Sequence, residues 1–336
     1  MSEIKTPILI ILFNRVETAK ELLLSLQQIK PPNLYIYFDG PREKFKEADL
    51  NAFWKIEELI GEIINWECEV NLEHSGKNQG SHIAPKKAID WFFTHEEDGI
   101  ILEDDCIPDP SFYSYCNFLL QVYKDNTNVF LISGDNGGPV LGPEMFMGND
   151  YLFSKVPLTW GWATWKSRWE KLDENLDNWN TTFFKNRQFL NAYPLYESLL
   201  IYNMLNRVST RKEKNWDYLV YSTMLKNNYL SIIPKNNLIK NIGWGSNATH
   251  TKITNFRSYF PTREMKSFNF VGPITNSIRI DIIISYMVHF GIPLSSKKIM
   301  PLYVARITHF LRRTKYYVTI FLMKVKKLLT LTNSIL

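Results

Sequence analysis

The sequence predicts an α/β fold: a mixed, mostly parallel sheet with helices on both faces. Three observations carry this. Short, β-branched apolar runs alternate with segments of helical spacing over the first 130 residues. The runs are apolar throughout, as strands covered on both faces are. Each of three runs also ends in a polar cluster, and open α/β sheets bind ligands outside the carboxyl ends of their strands.

The elements follow in order. "TPILIILFNR" reads as a buried strand, and "VETAKELLLSLQQIK" as a helix ending before Pro31-Pro32. "NLYIYFDGPR" is a second strand closed by the turn signal Asp39-Gly40-Pro41. "EADLNAFWKIEELIGEII" is a helix, "CEVNLEHS" a third strand, "SHIAPKKAIDWFFTHE" a helix, and "GIILEDD" the next strand. Asn14-Arg15, Asp39 and Glu103-Asp104-Asp105 would then meet on one rim. "DPSFYSYCNFLLQVY" begins a helix that Asp109 is placed to cap. "TWGWATWKSRW" puts Trp162, Trp165 and Trp169 on one face of a helix, as core. Residues 133–150 hold five of fifteen glycines and read as a loop; 267–277 reads as a linker.

Hydrophobic residues are 45% and charged residues 22% of the 336, a globular composition. Aromatics reach 14%. Cys68, Cys106 and Cys116 have no metal-ligand spacing, and an odd, sparse set fits a reducing cytoplasm. The apolar run from Pro7 to Phe13 is shorter than a signal peptide needs, and no run reaches a spanning helix. Net charge is +5, but residues 271–336 carry ten Lys/Arg against Asp281 alone, so the body is mildly acidic and the tail strongly basic.

The acids at 103–105 invite two readings. As helix caps they are superfluous beside Asp109. As oxygen ligands they suit Mg²⁺ or Mn²⁺, which takes one or two carboxylates and keeps waters and substrate phosphates.

Taken with their order, "PILIILFNR", "IYFDGPR", "NQGSHIAPKKAIDWFF", "GIILEDDCIPDPSFYSYC", "WGWATWKSRWEKL" and "NWDYLVYSTM" resemble a GT-A fold (Rossmann-like) glycosyltransferase of the N-acetylglucosaminyltransferase I type and its bacterial relatives. The resemblance covers roughly residues 5–250. It implies a catalytic domain over 1–266, with a nucleotide-sugar-binding half (1–132) and an acceptor-binding half (133–266), followed by a basic helical region over 267–336. It implies Asp105 as the ligand of Mn²⁺ or Mg²⁺, Asp104 near the ribose or the metal's waters, and Glu103 near the donor sugar. Arg15, beside Asn14, would lie near base or phosphate, Asp39 would accept from uracil N3–H, and His82 would sit near the nucleotide. Asp217 would be the base that takes the acceptor hydroxyl's proton; as plain structure, it would cap the helix that follows. Trp160 and Gly161 are expected in the acceptor pocket. Ser246 and His250, in "NIGWGSNATHT", are expected on the diphosphate.

The function expected is therefore transfer of a sugar, with inversion, from a UDP-linked donor to a glycan or lipid-linked acceptor in surface polysaccharide synthesis. One rival is a nucleotidyltransferase that makes a nucleotide-sugar; it wants a glycine-rich loop after the first strand, and "FNRVETAKE" has no glycine. A second rival is a non-catalytic carbohydrate-binding or membrane-active protein. Residues 299–330, apolar on one side and basic on the rest, are expected to lie on an anionic membrane surface at the cytoplasmic side. Nothing suggests a nucleic-acid partner.

Overall fold

The computed structural model of the chain describes residues 5–138, 141–174, 215–243 and 260–290. The chain divides into two units, 1–291 and 292–336, and the described residues all belong to the first.

Four parallel strands and the helices between them make the half that carries the acids. β1 (Ile8–Leu12) is buried along its whole length. It lies parallel to β2 (Asn33–Phe38) on one side and to β4 (Asp98–Glu103) on the other. β3 (Glu69–His74) adds to β2 as the edge. The chain then crosses back: β6 (Val129–Ser133) pairs with β8 (Trp162–Trp165), which runs antiparallel between β4 and β6. β9 (Leu230–Pro234) is parallel to β6, and β7 (Tyr151–Ser154) closes the sheet antiparallel to β9. The order is β3-β2-β1-β4-β8-β6-β9-β7; a separate pair joins β5 (Cys106–Pro108) to β10 (Ile239–Asn241). The expected mixed, mainly parallel α/β sheet is present.

Two cores cover its faces. On one, Ile8, Ile10, Ile100 and Leu102 pack with α1 (Val16–Gln27), α2 (Lys46–Ile63) and α4 (Pro110–Val122). Apolar spacing explains α1, where Ala19, Leu22, Leu23 and Leu26 form the buried stripe. On the other face Leu9, Ile11 and Ile101 meet α3 (Ala84–His95) and α6 (Trp216–Asn227). Asp109 caps α4 as its sequence position implies: its carboxylate accepts from Ser111 N at 2.9 Å, with Pro110 at the first helical position.

Two expectations are corrected. Trp162 and Trp165 lie on a strand, and only Lys166–Trp169 makes a short helix, α5. An odd spacing on a strand sends the two rings to opposite faces. Trp162 stacks on Trp216 at 5.8 Å in one core, and Trp165 donates Nε1–H to Leu120 O at 3.1 Å in the other. The core assignment of these rings holds; the helix does not.

The segment 267–277, read as a linker and mostly exposed, is pinned to the sheet side at Phe268–Val271 and Asn276. Phe270 stacks on Tyr151 at 5.2 Å, Phe268 meets Tyr115 edge-on at 5.7 Å, and Asn269 N–H donates to Asp150. α7 (Ile278–Phe290) follows, held by the buried Asp281, which accepts from Ser154 Oγ at 2.6 Å and Lys155 N at 3.0 Å. Aromatic burial is what fastens the segment.

Candidate functional site

The parallel strands β1, β2 and β4 end side by side, because Asp39 N–H donates to Leu12 O and Asp104 N–H to Ile11 O, each at 3.1 Å. Three residues, Phe13–Arg15, connect β1 to α1. From this connection Arg15 reaches across to the triplet. Its Nε donates to Asp104 Oδ2 at 3.0 Å, its Nη2 pairs with Asp104 Oδ1, and its Nη1 donates to Asp105 Oδ2 at 2.9 Å. One guanidinium therefore spans two carboxylates, the bidentate use that arginine's planar fork allows.

The three acids differ in surroundings. Asp104 is 3% exposed; burial pushes its carboxyl upward, Arg15 opposes this, and Asp105 adds to it. Glu103, paired in register with Ile11 on β1, is raised further, first by burial and then by the charges of Asp105 and Asp104, with Asp217 contributing. Asp105 keeps more solvent, with 17% of its side chain exposed. Its second oxygen accepts from Asn241 Nδ2 at 3.2 Å, and its carbonyl accepts from Ile242 N at 2.8 Å. The backbone at 243 passes so close that a side-chain carbon there would fall 2.0 Å from Asp105 Oδ2 and displace that carboxylate. Asn241 gives no signal in the sequence; only the pairing of β10 with β5 brings it to Asp105.

Asp217 joins the group from α6. It stands in the first turn and accepts from Tyr218 N at 2.9 Å, while Asn215 occupies the cap position, so capping is not its role. Burial raises its carboxyl to about 6, with the Tyr218 N–H, its own N–H and His82 opposing. Glu103, Asp104, Asp105, Asp217, Arg15 and His82 are thus brought together.

Asp39 and Asn14 are turned elsewhere. Asp39 accepts from Gly40 N, Gln79 N, Gly80 N and Asn78 Nδ2 at 2.8–2.9 Å, clamping the loop before α3 to the end of β2. Asn14 donates to Asp49 at 2.7 Å. Trp160 and Gly161 precede β8, with Gly161 at φ +58° beside Ile239. Ser246 and His250, and the basic tail at 299–330, lie outside the described residues. No helix among the described residues is long and apolar enough to cross a membrane. The expected metal centre is corrected on the same terms: among the described residues no group of three or more His, Cys, Asp or Glu is arranged to hold an ion. The oxygen donors suit a hard cation in kind, but Asp104 and Asp105 spend theirs on Arg15 and Asn241.

No family model matches the chain, and no curated protein does. Solved structures do. The chain is similar to the crystal structure of HddC from Yersinia pseudotuberculosis, at 12% identity over 44% of this chain and 57% of that one, with a TM-score of 0.23. It is similar to a UDP-glucose pyrophosphorylase complexed with UDP-glucose, at 10% identity over 68% of this chain and 90% of that one, with a TM-score of 0.34. It is also similar to UTP-bound UGPase from Acinetobacter baumannii, at 8% identity over 68% and 85%, with a TM-score of 0.31. The chain spans 57% of the length of HddC.

These neighbours belong to the sugar-nucleotidyltransferase superfamily. The resemblance to GT-A glycosyltransferases of the N-acetylglucosaminyltransferase I type is overturned by them, and with it sugar transfer to a glycan or lipid-linked acceptor. Among the described residues no ligand group backs a metal-binding description, and the tail expected on the membrane lies outside them. At TM-scores of 0.23 to 0.34 the likenesses assign no reaction to this chain.

Proposed function

We propose that the chain handles nucleotide-sugars as a nucleotidyltransferase, joining a nucleoside triphosphate to a sugar phosphate. The observation that supports this is the fork of Arg15 across Asp104 and Asp105 at the adjoining ends of β1 and β4. An arginine at a strand rim is a ready phosphate ligand. When Arg15 turns to a phosphate it gives up its bond to Asp105 Oδ2, and that carboxylate oxygen then suits the Mg²⁺ that a triphosphate brings with it as part of the substrate.

In this reaction an oxygen of the sugar phosphate attacks the α-phosphorus in line. The bond from that phosphorus to the bridging oxygen breaks, and diphosphate leaves with the electron pair. The attacking oxygen is already anionic at neutral pH, so no protein base is needed. Asp217, expected to take a hydroxyl proton, instead lines the site with Glu103 and His82, where its carboxyl accepts from sugar hydroxyls. The connection Phe13–Arg15 holds no glycine; Arg15 and the incoming cation therefore neutralise the phosphates that a glycine-rich turn would cradle with N–H groups.

The test is diphosphate release with each nucleoside triphosphate against a panel of sugar 1-phosphates in Mg²⁺. Release matched by nucleotide-sugar formation, and lost in Arg15→Ala, is expected. No release from any pairing, together with no rise in melting temperature with any triphosphate, would overturn the reading.

A further inference from the structure

We infer that Asp49 is a positioning residue: through Asn14 it fixes the three-residue connection that aims Arg15. This deepens the proposed function, since it rests on Arg15 as the phosphate ligand.

Asp49 stands in the first turn of α2 and is 0% exposed. A fully buried carboxylate is costly unless its oxygens are satisfied. Asp49 has four donors. Arg42 supplies its backbone N–H and Nε to Oδ2, both at 2.9 Å, and Nη2 to Oδ1 at 2.7 Å. The fourth is Asn14 Nδ2, also on Oδ1 at 2.7 Å.

The same assembly holds the residue before Asn14. The Arg42 guanidinium lies 5.3 Å from the Phe13 ring, and Phe13 meets Phe53 of α2 edge-on at 5.9 Å. Of the three connecting residues, Phe13 and Asn14 are therefore tied to α2 and its approach, while Arg15 alone faces the acids. Arg15 caps α1 with its backbone: its carbonyl accepts from Ala19 N at 3.0 Å, and no side chain caps that helix. The conformation of a connection without glycine is thus set by side chains on one side, leaving the arginine aimed on the other. A fixed origin matters because Arg15 must make three directed bonds at once, and small misplacements of a positioned group cost heavily.

Asp49 itself is a poor place for the first test, since removing it strands Arg42 and Asn14. Asn14→Ala keeps the Asp49–Arg42 pair and cuts the link. The experiment is a double-mutant cycle of Asn14→Ala and Arg15→Ala, read in the nucleotide-free protein as the shift in denaturant midpoint. If Asn14 acts through Arg15, the loss from Asn14→Ala falls by at least half when Arg15 is already absent. Additive losses overturn the inference. Should Arg15→Ala not fold, Arg15→Lys, which keeps a charge without the fork, takes its place in the cycle. In a second arm, Asn14→Ala is expected to weaken Mg–triphosphate binding about tenfold, but less than about twofold in the Arg15 variant. Equal weakening in both backgrounds would mean that Asn14 meets the ligand directly, and overturns the inference too. Failure of the unmutated protein to bind any triphosphate would sink the proposed function, while the ligand-free cycle still decides the role of Asn14 and Asp49.

Discussion

Asp217→Asn should make the protein more stable at neutral pH while harming its site. The carboxyl of Asp217 is raised from 3.8 to about 6, chiefly by burial. The sign follows from linkage. Below about pH 4 the carboxyl is protonated in the folded and unfolded chains alike and costs nothing. Between about pH 4 and 6 the unfolded chain gives up its proton first, so stability falls as pH rises. Above about pH 6 the whole cost is present. The rise from 3.8 to about 6 corresponds to about 3 kcal/mol; the side chain keeps some solvent access, so about 2 kcal/mol is the fairer figure. Asparagine retains the oxygen that accepts from Tyr218 N and carries no charge to desolvate. The assay is urea denaturation of both proteins at half-unit steps from pH 4 to pH 8. The variant should match the parent near pH 4 and exceed it by about 2 kcal/mol above pH 6.5. A variant no more stable than its parent at pH 7.5, or equally stabilised at pH 4, would refute the reasoning.

Three other perturbations test the frame around the site. Trp162→Ala removes a ring that is 1% exposed and stacked on Trp216, and should cost about 3–5 kcal/mol by denaturation. Gly40→Ala places a carbon 2.2 Å from the backbone of Lys77, so the Asp39 clamp must open; a loss of about 1–3 kcal/mol is expected, with faster amide exchange at Gln79 and Gly80. Arg15→Ala leaves Asp104 buried without its cation and should cost about 3 kcal/mol or more above neutral pH, easing in acid as the carboxyl takes a proton, as read from melting temperature against pH.

The parallel half was legible because its strands are covered on both faces, and continuous apolar runs such as "ILIIL" leave little choice. The triplet was legible too, since three acids at a strand exit have no cheap structural use. What failed was local periodicity in the second half. Trp162, Trp165 and Trp169 carry helical spacing, yet pairing with β4 and β6 fixed the first two as strand, a contact that no window of sequence contains. Asp39 and Asn14 sat at the right strand ends, but their carboxylate and amide are spent on the Gln79 loop and on Asp49. Asn241 and Asp49 were invisible because their partners lie 136 and 35 residues away. The family resemblance was misleading because motifs of strand, acid and aromatic helix are common to α/β folds that handle different chemistry.

The imbalance of charge at the rim bears on what can bind there. Four carboxyls, Glu103, Asp104, Asp105 and Asp217, face one arginine and His82. Burial raises Glu103, Asp104 and Asp217, and the Asp105 charge adds to the first two, so the cluster holds fewer charges than its acids suggest but still lacks cations. A buried pair built for stability alone is matched or bettered by apolar packing, so retaining so many acids needs another reason. A triphosphate without its cation would add negative charge to this group and be repelled; with Mg²⁺ it supplies the positive charge that the rim lacks. Nucleotide binding should therefore depend on divalent cation far more steeply than Arg15 alone would require. Calorimetric titration of a triphosphate in Mg²⁺ and in chelator measures this directly. Equal affinity in the two would show that the acids take no part in holding the phosphates.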